Sequence, residues 1–177
     1  MAFNKYNLHC TQCKRGKPCG KRHVYALELD KKIAKQSWFR ELNPDYVDGM
    51  DCLYVGMTGH LPKCRASAHQ FCKRGDWKGK KFICYCKGKG ERRLCTLGSR
   101  SARNRVDKYN TFYLKKNLFR RYNPQENQAD SRGMELFLTN KLRAEGYGVY
   151  VDEEGEEEEG EETDSSKIPD WFINAMG

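Results

Sequence analysis

Short alternating and periodic runs of apolar residues divide the chain into small elements. In HVYALELD, Val24, Ala26, Leu27 and Leu29 suit a largely buried strand. KKIAKQSWFREL then places Ile33, Ala34, Ser37, Trp38 and Leu42 at near-helical spacing, and NPDYVDG ends that run with turn residues. CLYVGMT is a second strand, stopped at Thr58-Gly59. The pattern predicts two paired strands separated by a helical excursion. A helix follows over LPKCRASAHQFCKR, opened by a proline that a first turn tolerates. Leu61, Cys64, Ala68, Phe71 and Cys72 form its apolar stripe, while Arg65 and His69 share a different one, one turn apart.

Further along, KKFICYCKG predicts a third strand, and the glycine- and arginine-rich GKGERRLCTLGSRSARNR has no period and reads as a mobile loop. DKYNTFYLKKNLFRRYNP reads as a strongly basic helix bearing Tyr109, Phe112, Tyr113, Leu118 and Phe119, ended by Asn123-Pro124. The last helix is SRGMELFLTNKLRAEG, with Ser131 as its N-cap, Met134, Phe137, Leu138 and Leu142 on its core side and Gly146 at its end. A short strand, YGVYV, is expected after it. The following DEEGEEEEGEETDSSK cannot bury enough apolar surface to order itself, whereas the terminal IPDWFINAMG is apolar enough to dock on a partner protein.

Length and charge sharpen this picture. A chain of 177 residues suits one domain with attached tails. The expected division is a Cys-rich segment over 1–23, a folded domain over 24–151 and an acidic, disordered tail over 152–177. The net charge of +9 conceals a strong asymmetry, because eleven acidic residues and one lysine fall between Asp152 and Gly177. That leaves 32 basic against 13 acidic residues in the body, an excess of 19. So large an excess is the footprint of a phosphate-backbone binder, and it makes nucleic acid the leading partner class. The tail, opposite in sign, is placed to compete with nucleic acid for the basic body. No apolar run approaches the roughly 18 residues that a membrane-crossing helix needs, and MAFNKYNLHC lacks the apolar core of a signal peptide. The expectation is a soluble, cytoplasmic protein, nucleoid-associated in a bacterial or phage setting.

The nine cysteines fit free thiols or metal ligands better than a disulfide framework in a reducing compartment. Cys10, Cys13, Cys19 and His23 have a spacing that closes a tetrahedral zinc site, with His9 or Cys52 as substitutes for His23 and free thiols as the competing reading. Cys72, Cys84, Cys86 and Cys95 are a weaker second set, since Cys72 also fits an apolar stripe.

Taken singly, Tyr25, Tyr54, Arg65, His69 and Glu135 have ordinary structural readings as strand, helix-face and surface residues. Their order carries more: a strand with Tyr25, a strand LYVG with Tyr54, a helix with Arg65 and His69, and a later helix with Glu135. In that order the chain resembles the GIY-YIG nuclease family over roughly residues 24–150. It differs in having His23 where the family's first motif has glycine, a long insert between the two motifs, and Gly148 where a downstream asparagine is sought.

The resemblance implies an α+β fold, a small antiparallel three-stranded sheet flanked by helices, presenting these side chains to one phosphodiester. Glu135 would be the sole protein ligand of Mg²⁺ or Mn²⁺, and Arg65 would bind the scissile phosphate. Tyr25 would take the proton of the attacking water, with Tyr54 and His69 sharing the network. A free phenol titrates near pH ~10, so this role requires Arg65 or the metal to lower Tyr25. The expected activity is metal-dependent endonucleolytic hydrolysis of DNA, RNA being an open substrate, with backbone contacts from the regions Arg92 to Arg105 and Lys108 to Arg121 and with Tyr109 or Phe112 in the core or stacked on bases. The rival readings are a catalytically inactive nucleic-acid-binding module with a zinc-stabilised N-terminus, and a scaffold or ribosome-linked basic protein.

Overall fold

The computed structural model describes residues 19–71, 81–84, 91–94 and 106–152. Strands β1 (His23–Leu29) and β2 (Cys52–Thr58) form its centre, pairing antiparallel so that Tyr25 lies opposite Gly56 and Leu27 opposite Tyr54. Both strands are buried along almost their whole length, and their apolar runs are accordingly near-continuous. Between them lie a 3₁₀ turn (Lys31–Lys35) and α1 (Ser37–Leu42), the helical excursion that the pattern predicts. Its fully buried side chains are Ile33 and Phe39, of which the near-helical spacing singled out only the first.

The central sheet has four strands, in the order β5 (Asn110–Leu114), β1, β2, β6 (Gly148–Val151). It is mixed, because β6 pairs with β2 in parallel. The expected three-stranded antiparallel sheet is therefore corrected to a four-stranded mixed one; the α+β class stands. The reason is topological: α4 (Gln128–Ala144) crosses the sheet and returns the chain in the direction of β2. The predicted third strand does form, as β3 (Lys81–Cys84), but it pairs with β4 (Glu91–Leu94) in a separate two-stranded sheet. β4 lies inside the stretch read as a loop.

The basic helix read over Lys108 to Arg121 is replaced by a 3₁₀ turn, the edge strand β5, the short α3 (Lys116–Phe119) and a second 3₁₀ turn. Edge pairing outweighs the mixed local propensity here. Leu27 pairs with Leu114 and Leu29 with Asn110, so β5 bulges between these contacts. Phe112 sits in the bulge at φ +62°, a left-handed conformation that costs a residue with a side chain about 1–2 kcal/mol. Its N–H donates to Asn110 Oδ1 at 2.8 Å, and Thr111 Oγ1 donates to the Glu28 carbonyl, which together hold the bulge in place. Lys115, just after it, is bound by Asp51 at 2.6 Å and Glu28 at 3.6 Å.

In α4, Met134, Leu138 and Leu142 recur every fourth residue and are buried against the sheet. Its N-cap is Asn127, whose side chain accepts from the Asp130 N–H, rather than the expected Ser131. Ser131 is buried in the first turn and donates to the Gln128 carbonyl. Gly146 adopts φ +87° just beyond the helix, as its place in the sequence suggests. Two buried asparagines replace missing backbone partners. Asn123 exchanges hydrogen bonds with both the N–H and the carbonyl of Val24, and Asn43 joins the Phe39 carbonyl to the Val149 N–H.

Candidate active site

Period-two alternation puts Tyr25, Leu27, Tyr54 and Tyr150 on one face of the sheet. The helix α2 (Pro62–Phe71) lies over this face and brings His69 Nε2 to 2.9 Å from the Tyr25 hydroxyl. Arg65, one turn earlier, directs its Nε at the same oxygen over a longer 3.5 Å. The Tyr54 ring lies edge-on to both Tyr25 and His69, with centroids 6.0 Å and 5.4 Å away.

Three of these side chains, Tyr25, Tyr54 and His69, are buried. Tyr25 is completely buried and His69 nearly so. Tyr54, Arg65 and Glu135 lie on the wall of an adjoining cleft of about 260 Å³, at the carboxyl ends of the parallel strands β2 and β6 and beside the first half of α4. Arg22 and Arg132 line the same cleft, as does Asp152. The five residues singled out from the sequence thus converge on one locality, with Tyr25 and His69 beneath its surface.

Burial dictates the protonation of the inner pair. It pushes the Tyr25 phenol above its ordinary range, and the attraction and hydrogen bond of Arg65 only partly offset this. Arg65 alone therefore does not meet the requirement that Tyr25 be lowered: among the protein's own groups desolvation wins. Burial, reinforced by the Arg65 charge, brings His69 down to about 3. At neutral pH the pair is phenol and neutral imidazole. Burial also works against the charge on Arg65, but Tyr25, Tyr54 and Asp152 more than compensate and keep it firmly cationic.

Asp152 is a site residue that the sequence reading missed, because composition assigned it to the acidic tail. Its Oδ2 accepts from the Tyr54 hydroxyl at 3.0 Å. Alternation along β6 was the available signal, since Gly148, Tyr150 and Asp152 share one face. The asparagine sought at Gly148 has no room there: a Cβ would lie 2.7 Å from Phe39 Cε1. The polar group that reaches the cleft from this strand is the one just after its end.

Of the N-terminal zinc set, Cys19 and His23 lie within the described residues, and Cys10 and Cys13 lie outside them. Cys19 Sγ is 3.3 Å from His23 Nε2, while His23 Nδ1 is 3.1 Å from the His60 carbonyl. A carbonyl only accepts, so Nδ1 carries the proton and the Nε2 lone pair faces the thiol, the form in which imidazole binds a metal. Of the second set, Cys72, Cys86 and Cys95 lie outside the described residues, as does the side chain of Cys84. Among the described residues, no three His, Cys, Asp or Glu side chains cluster closely enough to hold a metal ion by themselves. No described helix is long and apolar enough to cross a membrane. Comparison of the chain with protein-family models, with curated proteins and with solved structures returned no match.

Proposed function

We propose that this chain is a metal-dependent endonuclease that hydrolyses DNA phosphodiester bonds. The observation that carries the reading is the convergence of Arg65 and Glu135, from two different helices, on the cleft that Tyr54 also lines, with Tyr25 and His69 directly beneath. A phosphodiester in this cleft meets the guanidinium groups of Arg22, Arg65 and Arg132. Arg65 is the one held against the tyrosine network, so it is the group that stabilises the added negative charge of a pentavalent transition state.

Glu135 and Asp152 offer the hard oxygen donors that Mg²⁺ or Mn²⁺ takes, and a cation held through one or two carboxylates retains most of its waters. Bound there, it would supply Lewis-acid polarisation of the phosphate. Tyr54 orients Asp152 by donating to it. Tyr25 is protonated at rest; as a phenolate it would receive hydrogen bonds from Arg65 Nε and from an Nε2–H of His69, and in that form it accepts the proton of the attacking water. At the N-terminus, Cys19 and His23, joined by Cys10 and Cys13, would hold a structural Zn²⁺.

The second reading, a nucleic-acid-binding module without hydrolysis, is favoured by the complete burial of Tyr25. A nicking assay decides between them: supercoiled plasmid, Mg²⁺ or Mn²⁺, and the wild type beside Glu135→Gln and Arg65→Ala. Hydrolysis by the wild type that drops by at least about a hundredfold in each variant supports the nuclease. DNA binding by the wild type without nicking in either metal refutes it, and the same assay on RNA reports the substrate.

A further inference from the structure

The segment that leads into β1 serves two features at once. Cys19 and His23 hold a thiol 3.3 Å from an imidazole, and Arg22, beside His23, lines the cleft. His23 is 2% exposed and its ring is engaged at both nitrogens, Nδ1 donating to the His60 carbonyl at 3.1 Å and Nε2 turned to the Cys19 sulfur. Across the ladder it stands opposite Thr58, whose Oγ1 accepts from the His60 N–H at 3.0 Å. Thr58, Gly59 and His60 line the cleft together with Arg22. Arg22 in turn exchanges backbone hydrogen bonds with Gln125 in both directions, at 3.0 and 2.8 Å, and its guanidinium donates to Gln128 Oε1 at 2.9 Å. One rim of the cleft is therefore assembled from residues 22 and 58–60, and it joins the thiol and imidazole pair through the His23 ring.

A strand needs no imidazole in order to pair, and burying both ring nitrogens of His23 costs free energy unless each finds a partner. The partners it has are a sulfur able to ligate a metal on one side and the cleft rim on the other. We propose that Zn²⁺ at Cys19 and His23 sets the affinity of the cleft for a phosphodiester, with His23 as the positioning residue between the two. The proposal rests on the nuclease reading for what the cleft binds, and on Cys10 and Cys13 of the sequence for the remaining thiolates. Coordination at Nε2 withdraws electron density from the ring and makes Nδ1–H a stronger donor. The His60 carbonyl, and with it the rim that includes Thr58 and Arg22, is then held more firmly. Three thiolates around Zn²⁺ leave a single negative charge, which by itself repels a phosphate. A gain in affinity on zinc binding must then come from the placement of the rim rather than from the charge of the site.

The test uses the full chain without Mg²⁺ or Mn²⁺, so that a duplex oligonucleotide labelled with fluorescein stays intact. Co²⁺ in place of Zn²⁺ is expected to give a thiolate-to-cobalt absorption band in the wild type, and Cys19→Ser should weaken metal uptake at least about tenfold. By fluorescence anisotropy the zinc-loaded wild type should bind the duplex about fivefold more tightly than the zinc-free one, the difference between a neutral and a charge-assisted hydrogen bond. His23→Cys is the deciding variant, because it keeps a fourth metal ligand but has no donor for the His60 carbonyl. It should bind zinc and show the same duplex affinity with and without it. Should it not fold, Cys19→Ser carries the decision: its zinc response is expected to vanish at zinc concentrations that saturate the wild type. No cobalt band, duplex affinity that is absent or equal in the two zinc states of the wild type, or a zinc response that persists in His23→Cys or Cys19→Ser would overturn the proposal. So would loss of the whole fold on zinc removal, read by circular dichroism, since zinc would then be a requirement of the domain and not of the rim. Plasmid nicking in Mg²⁺ by the same preparations separates the two readings. Nicking with equal affinities in the two zinc states sinks the coupling and spares the nuclease; a zinc response without nicking by any preparation does the reverse.

Discussion

Tyr25 stands opposite Gly56 across the β1–β2 ladder, and a Cβ on Gly56 would lie 2.6 Å from the phenolic oxygen and 2.8 Å from Cζ. The glycine of LYVG is thus the floor on which the Tyr25 ring rests, and it is needed for close approach rather than for a special backbone angle. Gly56→Ala is expected to shift the phenol off His69 and Arg65, to lower stability by about 1–3 kcal/mol and to cut nicking at least about tenfold. Urea denaturation and the plasmid assay measure the two effects. Full activity in this variant would mean that the position of Tyr25 is immaterial to the reaction.

In the proposed reaction the protonation of Tyr25 sets the pH dependence. With the phenol raised by burial, its base form becomes more abundant throughout the rise from neutral toward alkaline pH. The nicking rate should therefore climb with pH without levelling off below about pH 9, and Tyr25→Phe should lose that climb together with most of the rate. A residual rate in Tyr25→Phe that keeps the wild-type slope would assign the proton transfer to another group.

His69 predicts a different pH effect, on stability. Its folded-state value, about 3, lies below the ordinary 6.5, so the unfolded chain binds the proton more readily between these limits. Its contribution is fully present above about pH 6.5 and is lost as pH falls toward 3. Between pH 6.5 and 5 the loss should be about 2 kcal/mol. Burial lowers His23 as well, which adds a change of the same sign. Urea midpoints at pH 7 and pH 5 should differ less in His69→Gln than in the wild type; identical differences would show that His69 is not held neutral.

Asn43 does not line the cleft but bears on the frame that carries it. The side chain is 2% exposed and donates to the Phe39 carbonyl at 2.8 Å. It also accepts from the Val149 N–H at 2.7 Å and from Arg143 Nε at 3.2 Å. It thereby joins α1, α4 and β6 at one point. Asn43→Ala leaves a buried N–H without its acceptor and should cost about 2–4 kcal/mol by chemical denaturation. Because β6 leads directly to Asp152, nicking should fall with it. A loss below about 0.5 kcal/mol would show that water replaces the amide.

Local pattern was enough to locate β1, β2, α2, α4 and β6, because each carries an apolar periodicity dense enough to specify its own buried face. It was also enough to put Arg65 and His69 on one side of α2, since residues four apart on a helix necessarily share a face. It failed for β5, where a basic, aromatic run suits a helix or a strand and pairing with the free edge of β1 decided the matter. It failed for Asp152, the first acidic residue of an acidic run, whose composition says nothing of the hydroxyl it meets.

Chain order and short-range spacing therefore settle which elements exist and which way their side chains point, for these depend on backbone geometry over a few residues. The parallel pairing of β6 with β2, the cleft that Tyr54 and Arg65 line beside the buried Tyr25 and His69, and the raised phenol came only with assembly. Each arises from contacts between residues distant in the chain, where burial and strand register, rather than local preference, supply the free energy.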